Sequence, residues 1–130
     1  MSATTSKIST TKFDVTLLED GIVENFIKSG AVMEIEDVTA LKKHNFATAE
    51  NKPYVILVVP GELVSFTSEA RELAASKDFI EAAMAKALLI NSIGNKIMGN
   101  FYLNVNKPYI KTKIFSDREK ALLWLRSFLK

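Results

Sequence analysis

The sequence has no cysteine and a single histidine, His44. Disulfide frameworks, thiol chemistry and cysteine-built zinc sites are thereby excluded, and so is a histidine cluster. No segment offers the ~18 uninterrupted apolar residues of a membrane span. The opening MSATTSKISTTK lacks the apolar core of a secretory signal, so a cytoplasmic location is expected. Basic residues do not interleave densely with aromatics, so no nucleic-acid partner is expected.

What is present describes an ordinary globular chain. Its 130 residues suffice for one domain with one core, and 48% hydrophobic with 25% charged content is neither disordered nor fibrous. Seven of the first twelve residues are Ser or Thr, which reads as a mobile tail over 1–12 ahead of a single domain over 13–130. The net charge of +2 is uneven, because residues 107–130 hold seven Lys or Arg against two acids. That basic end suits a solvated surface, a phosphate, an acidic partner or an anionic membrane face.

Along the chain, "FDVTLLEDGIVENFIK" reads as a hairpin turning at Asp20-Gly21. "EIEDVTALKKHNF" has helical spacing in Ile35, Val38, Leu41 and Phe46, with His44 on the solvent side. "YVILVV" (54–59) and "AKALLI" (85–90) are apolar without alternation, the pattern of strands covered on both faces. Between them "SFTSEARELAA" starts a helix that Thr67 or Ser65 can cap, and "DFIEAA" extends or breaks it. The chain closes with the strand "TKIF" and the helix "SDREKALLWLRSFLK". Ser116 and Glu119 there have capping-box spacing, and the broad apolar stripe includes Trp124 and Phe128.

Ile93, Ile97, Phe101 and Val105 recur every four residues, so Ser92 to about Asn104 reads as a helix with one apolar face. Gly94 and Gly99 have P-loop spacing, but Asn100-Phe101 stand where Lys and Ser/Thr are needed. A P-loop is rejected, and close packing of helix on sheet is the better reading of both glycines. No nucleophile elbow, zinc-protease motif or EF-hand loop occurs. The expectation is therefore a protein that is no enzyme, with no catalytic residues, metal or cofactor.

The order of elements, together with "LLEDGIVENF", "SEARELAA", "ALLINSIGNKIMGNFYLNVNKP" and "KIFSDREKALLWL", resembles the STAS domain of bacterial anti-sigma-factor antagonists. More closely, it looks like a group of small bacterial STAS-like proteins of uncharacterised function. The resemblance covers most of 13–130. It implies an α/β, SpoIIAA-like fold: an N-terminal hairpin, then alternating helices and strands in a mixed, mostly parallel sheet with helices packed on it. In the antagonists a serine in an approximate Asp-Ser-Ser-Gly motif is phosphorylated. The corresponding residues here are Phe66-Thr67-Ser68-Glu69, with Ser68 on the acceptor and Phe66 and Glu69 departing from the motif.

The resemblance thus implies a non-catalytic interaction or regulatory module, a homodimer, with a kinase or anti-sigma type of partner. Ser65, Thr67 and Ser68 are the candidate phosphoacceptor or anion site, and Trp124 and Phe128 the candidate interface. The alternative is a binding protein for a small apolar or lipid-like ligand, suggested by "IMGNFYL" and "LLWLRSFL" with Lys96, Lys107, Lys111 and Lys113 nearby.

Overall fold

A computed structural model of the chain describes residues 7–77 and 82–129. Strands β1 (Lys7–Ser9), β2 (Phe13–Glu19) and β3 (Ile22–Ile27) form an antiparallel meander. Gly21 takes φ +84° in the β2–β3 turn, as the Asp-Gly signal predicts, a conformation most side chains resist. Strand β1 falls inside the segment read as a tail. Ile8 between Lys7 and Ser9 suits a short edge strand, and the Ser9 hydroxyl donates to the Asp14 carboxylate across the pair.

From β3 the chain steps repeatedly in one direction. Helix α1 (Ile35–Thr48) leads to β5 (Tyr54–Pro60), α2 (Ser68–Ala75) to β7 (Ala83–Leu89), and α3 (Ile93–Phe101) to β8 (Lys111–Phe115). The sheet order is β1-β2-β3-β5-β7-β8, parallel from β3 onward. Two short segments, β4 (Val32–Met33) and β6 (Ser65–Phe66), pair as a separate parallel ladder ahead of α1 and α2. The α/β architecture expected from the sequence is the one observed.

Strands β5 and β7 are covered on both sides, which explains their unbroken apolar runs. On one side, Val23, Ile27, Tyr54 and Ile56 meet Val38 and Leu41 of α1 and Ala70 of α2, with Met98 of α3 packed at the margin. On the other, Ile22, Val55, Leu57, Ala85 and Ala87 meet Ala121, Leu122 and Leu125 of α4 (Arg118–Arg126). Thus, among the described residues, α1–α3 share one face and α4 covers the other. Arg126 of α4 also clamps Glu19 of β2, with an Nη2–Oε1 distance of 2.8 Å.

One local expectation is corrected and one lies beyond test. Helix α4 is capped by Asp117, whose carboxylate accepts from the Lys120 N–H at 3.2 Å, and not by Ser116. An aspartate at that position adds its charge to the favourable helix dipole. The "DFIEAA" reading falls largely on residues 78–81, outside the described residues.

Candidate functional site

The carboxyl ends of β3, β5 and β7 converge beneath α1, α2 and α3, where open α/β sheets generally place their ligands. A cavity of about 80 Å³ lies there. At about 10–15 Å³ per water it holds roughly half a dozen waters, or a short carbon chain. Ile27, Ile56, Val58 and Leu88 form its floor, Val38 and Leu41 one wall, and Met98 and Gly99 another.

Few polar groups reach this apolar space among the described residues, and those of Asn25, Asn95 and Lys86 are held. Asn25 of β3 and Asn45 of α1 exchange reciprocal amide hydrogen bonds at 2.6 and 3.0 Å, which satisfies both deep in the core. Asn95, in the first turn of α3, donates to the carbonyls of Pro60 and Gly61 at 3.4 and 3.2 Å. Lys86, only 4% exposed, directs its ammonium to the Tyr102 hydroxyl at 2.9 Å and the Ala74 carbonyl at 3.3 Å. Tyr102 begins a single π-helical turn (Tyr102–Asn106) that follows α3 directly. Such turns often mark functional positions.

Arg71 of α2 closes the rim. Its Nη1 donates to the Phe66 carbonyl at 2.6 Å, its Nη2 to the Ser68 hydroxyl at 3.4 Å, and its guanidinium stacks 5.0 Å from the Phe101 ring. Its Nε is buried with no hydrogen-bond partner. Among the described residues, no Asp or Glu lines the cavity.

The residues singled out from the sequence fall into two separate groups. Thr67, not Ser65, caps α2, with its hydroxyl accepting from the Ala70 N–H at 3.2 Å. Ser65 is exposed on β6, and Ser68 is exposed at the first helical position, next to Arg71. Trp124 and Phe128 are half-buried. Their rings meet edge to face with centroids 5.0 Å apart, Trp124 also meets Phe115 at 5.6 Å, and all three pack against the α4-side core. The two candidate sets therefore lie on opposite faces of the sheet. His44 is half-buried, its ring 6.1 Å from that of Phe13, rather than solvated. Among the described residues no group of three or more His, Asp or Glu could hold a metal ion, and no helix is long and apolar enough to cross a membrane.

Gly99 meets the close-packing expectation. A Cβ there would lie 3.1 Å from Ile114 Cδ1 and 3.8 Å from Leu88 Cδ1. Gly94 does not, because a Cβ there meets nothing within 4 Å. The inner side of α3 is thus Asn95, Met98, Gly99 and, just beyond, Tyr102, while Ile93, Ile97, Phe101 and Val105 face outward at 80, 66, 45 and 58% exposure.

Arg71, Lys86, Asn95 and Tyr102 were missed by the sequence reading. For Lys86 a signal existed: a cation inside the apolar run AMAKALL, at a position covered on both sides, needs buried partners. Nothing in the local sequence marks Arg71 beyond its place three residues after Ser68, one helical turn along.

This combination, a meander leading into singly wound parallel strands with α1–α3 on one face and α4 on the other, is the SpoIIAA-like fold. The structure matches that of an uncharacterized protein from the DUF3478 family with a SpoIIAA-like fold, from Shewanella loihica PV-4. The TM-score is 0.54 over 94% of this chain and 92% of that one, at 12% identity, so the likeness is one of fold. The chain belongs to the family described as a domain of unknown function, DUF7793, whose model matches residues 16–129. Comparison with curated proteins finds no match.

Proposed function

We propose that the protein works by binding rather than by chemistry, and that it holds a small, mainly apolar molecule with one anionic end in the cavity beneath α1–α3. The observation that carries this is Arg71: a cation at the rim of an apolar cavity, its Nε without a partner, with no carboxylate among the described lining residues. A ligand carboxylate would supply the missing acceptor, and charge-assisted bonds in such surroundings are strong. The apolar floor would take the rest of the molecule.

The test is a calorimetric titration of the whole chain with hexanoate and with hexanol, which differ in the charged end. Hexanoate should bind more tightly, and Arg71→Gln should erase the preference while leaving weak, equal binding of both. Saturable binding of neither compound, or a preference that survives Arg71→Gln, rejects the reading.

A second reading has its own observation. Ser68 is exposed at the start of α2 with Arg71 Nη2 3.4 Å from its hydroxyl. A phosphate on Ser68 would meet free helix N–H groups and take Arg71 as its partner, drawing it from the cavity rim, with Glu69 opposing. Ser68→Asp should then weaken hexanoate binding in the same titration. Unchanged binding would remove the switch and leave the cavity reading intact.

A further inference from the structure

Helix α3 is turned the wrong way round for a surface helix. The apolar row of α3 and its π-helical turn, Ile93, Ile97, Phe101 and Val105, spans about 18 Å at 1.5 Å per residue and is exposed to solvent, with the Arg71 guanidinium over one side of Phe101. The row cannot roll inward. The inner side is fixed by the glycine contact between Gly99 and Ile114 and by the Asn95 bonds to the Pro60–Gly61 turn. Tyr109, 62% exposed, stands just past the end of the row.

Charge indicates what covers this row. From residue 82 to residue 116 the sequence contains no Asp or Glu, although the chain has 15 in all. The same stretch carries Lys96 on α3, Lys107 directly after the π-helical turn, and Lys111 and Lys113 on the edge strand that α3 packs against, all exposed. A second copy of the chain would set these lysines against their own equivalents with no acid to relieve them. A lone convex row of four side chains also offers far less than the roughly 800 Å² per partner of a stable protein interface. A bilayer needs no shape match, accepts aliphatic side chains and Phe below the headgroups and Tyr at their level, and an anionic one draws lysines to its surface.

The geometry points to α3 as a peripheral docking element for an anionic lipid surface, lying flat with Ile93, Ile97, Phe101 and Val105 inserted and Lys96 and Lys107 at the headgroups. This goes beyond the cavity reading and does not depend on it.

The experiment is co-sedimentation of the full chain with vesicles of phosphatidylcholine alone and of phosphatidylcholine mixed equally with phosphatidylglycerol. Binding to the mixed vesicles should be at least about tenfold tighter and should weaken as salt screens the lysines. The double variant Ile93→Glu/Ile97→Glu changes only strongly exposed positions, so it should keep its unfolding transition and its hexanoate affinity while losing vesicle binding by about tenfold or more. Lys96→Glu should weaken vesicle binding by a smaller factor. Equal or absent binding to the two vesicle types overturns the proposal, as does undiminished binding of the double variant. A concentration-dependent dimer that the double variant abolishes also overturns it, in favour of a second copy. Because hexanoate binding is read on the same variant, the docking and cavity readings can fail separately.

Discussion

Helices α3 and α4 carry apolar rows of similar regularity and place them on opposite sides. In α4 the row is buried: Ala121, Leu122 and Leu125 face the sheet, and Leu123 alone among its large aliphatic residues is strongly exposed. In α3 the row is exposed, and the buried positions are Asn95 and Gly99. The difference is set where helix meets strand. Helix α4 approaches a floor of alanines, Ala85 and Ala87, and fills the gap with leucines. Helix α3 approaches Ile114 and Leu88, which already fill theirs, so a glycine packs between without displacing them. Periodicity identifies a helix, and the bulk waiting on the sheet decides which side of it turns inward.

The largest expected effect tests that contrast directly. Leu125→Ala removes a fully buried side chain from α4 and should destabilise the fold by about 2–5 kcal/mol. Ile97→Ala removes a similar volume from α3, at a position 66% exposed, and should change stability by no more than about 0.5 kcal/mol. Urea unfolding of both variants measures this. Equal losses would mean that the α3 row is buried in solution, and the docking proposal would go with the comparison.

The two glycines of α3 sharpen the contrast at a smaller scale. Gly99→Val should destabilise by about 1–3 kcal/mol, because branched methyls would press on Ile114 where a single Cβ is already 3.1 Å away. Gly94→Ala has open space and should stabilise by about 0.5–1 kcal/mol through helix propensity alone. Opposite signs in thermal melts are the expected outcome. If both substitutions destabilise, the first turn of α3 is packed against something.

Much of the fold could be read from residues. The Asp20-Gly21 turn, the runs at 54–59 and 85–90, and the rows of α3 and α4 announced themselves, because each reflects a constraint local to its own segment. The candidate site was less legible, because it is assembled from separated segments. Asn25 and Asn45 look like ordinary surface residues until β3 and α1 bring them to 2.6 Å. Arg71 looks like a solvated helix charge until Phe66, Ser68 and Phe101 surround it. The edge strand β1 was hidden for a related reason: a Ser/Thr-rich segment gains order only from pairing with β2, and composition cannot show a partner. The outward face of α3 was concealed most completely, since the same row fits a core or a surface equally well.

Acid should separate the two ends of the sheet, and here the expected effect is smallest. At one end, the Ser9 hydroxyl, aided against partial burial by Lys28 and Lys7, lowers the pKa of Asp14. Burial pulls Asp37 upward but is outweighed by hydrogen bonds from the Lys12 ammonium, at 2.6 Å, and the Glu34 N–H, so its pKa is lowered as well. A carboxylate depressed in the folded state contributes stability that is complete above its unfolded pKa, about 3.9. That contribution fades as pH falls through the folded value. Between β7 and β8 no carboxylate exists to lose, because residues 82–116 contain none. Hydrogen exchange near pH 3 should therefore release the β1 amides and the first turn of α1 before those of β7 and α3, and Asp37→Asn should shrink the pH dependence at the α1 end. Simultaneous release of all four would mean that the sheet opens only as a unit. The two edges would then differ in charge but not in local stability.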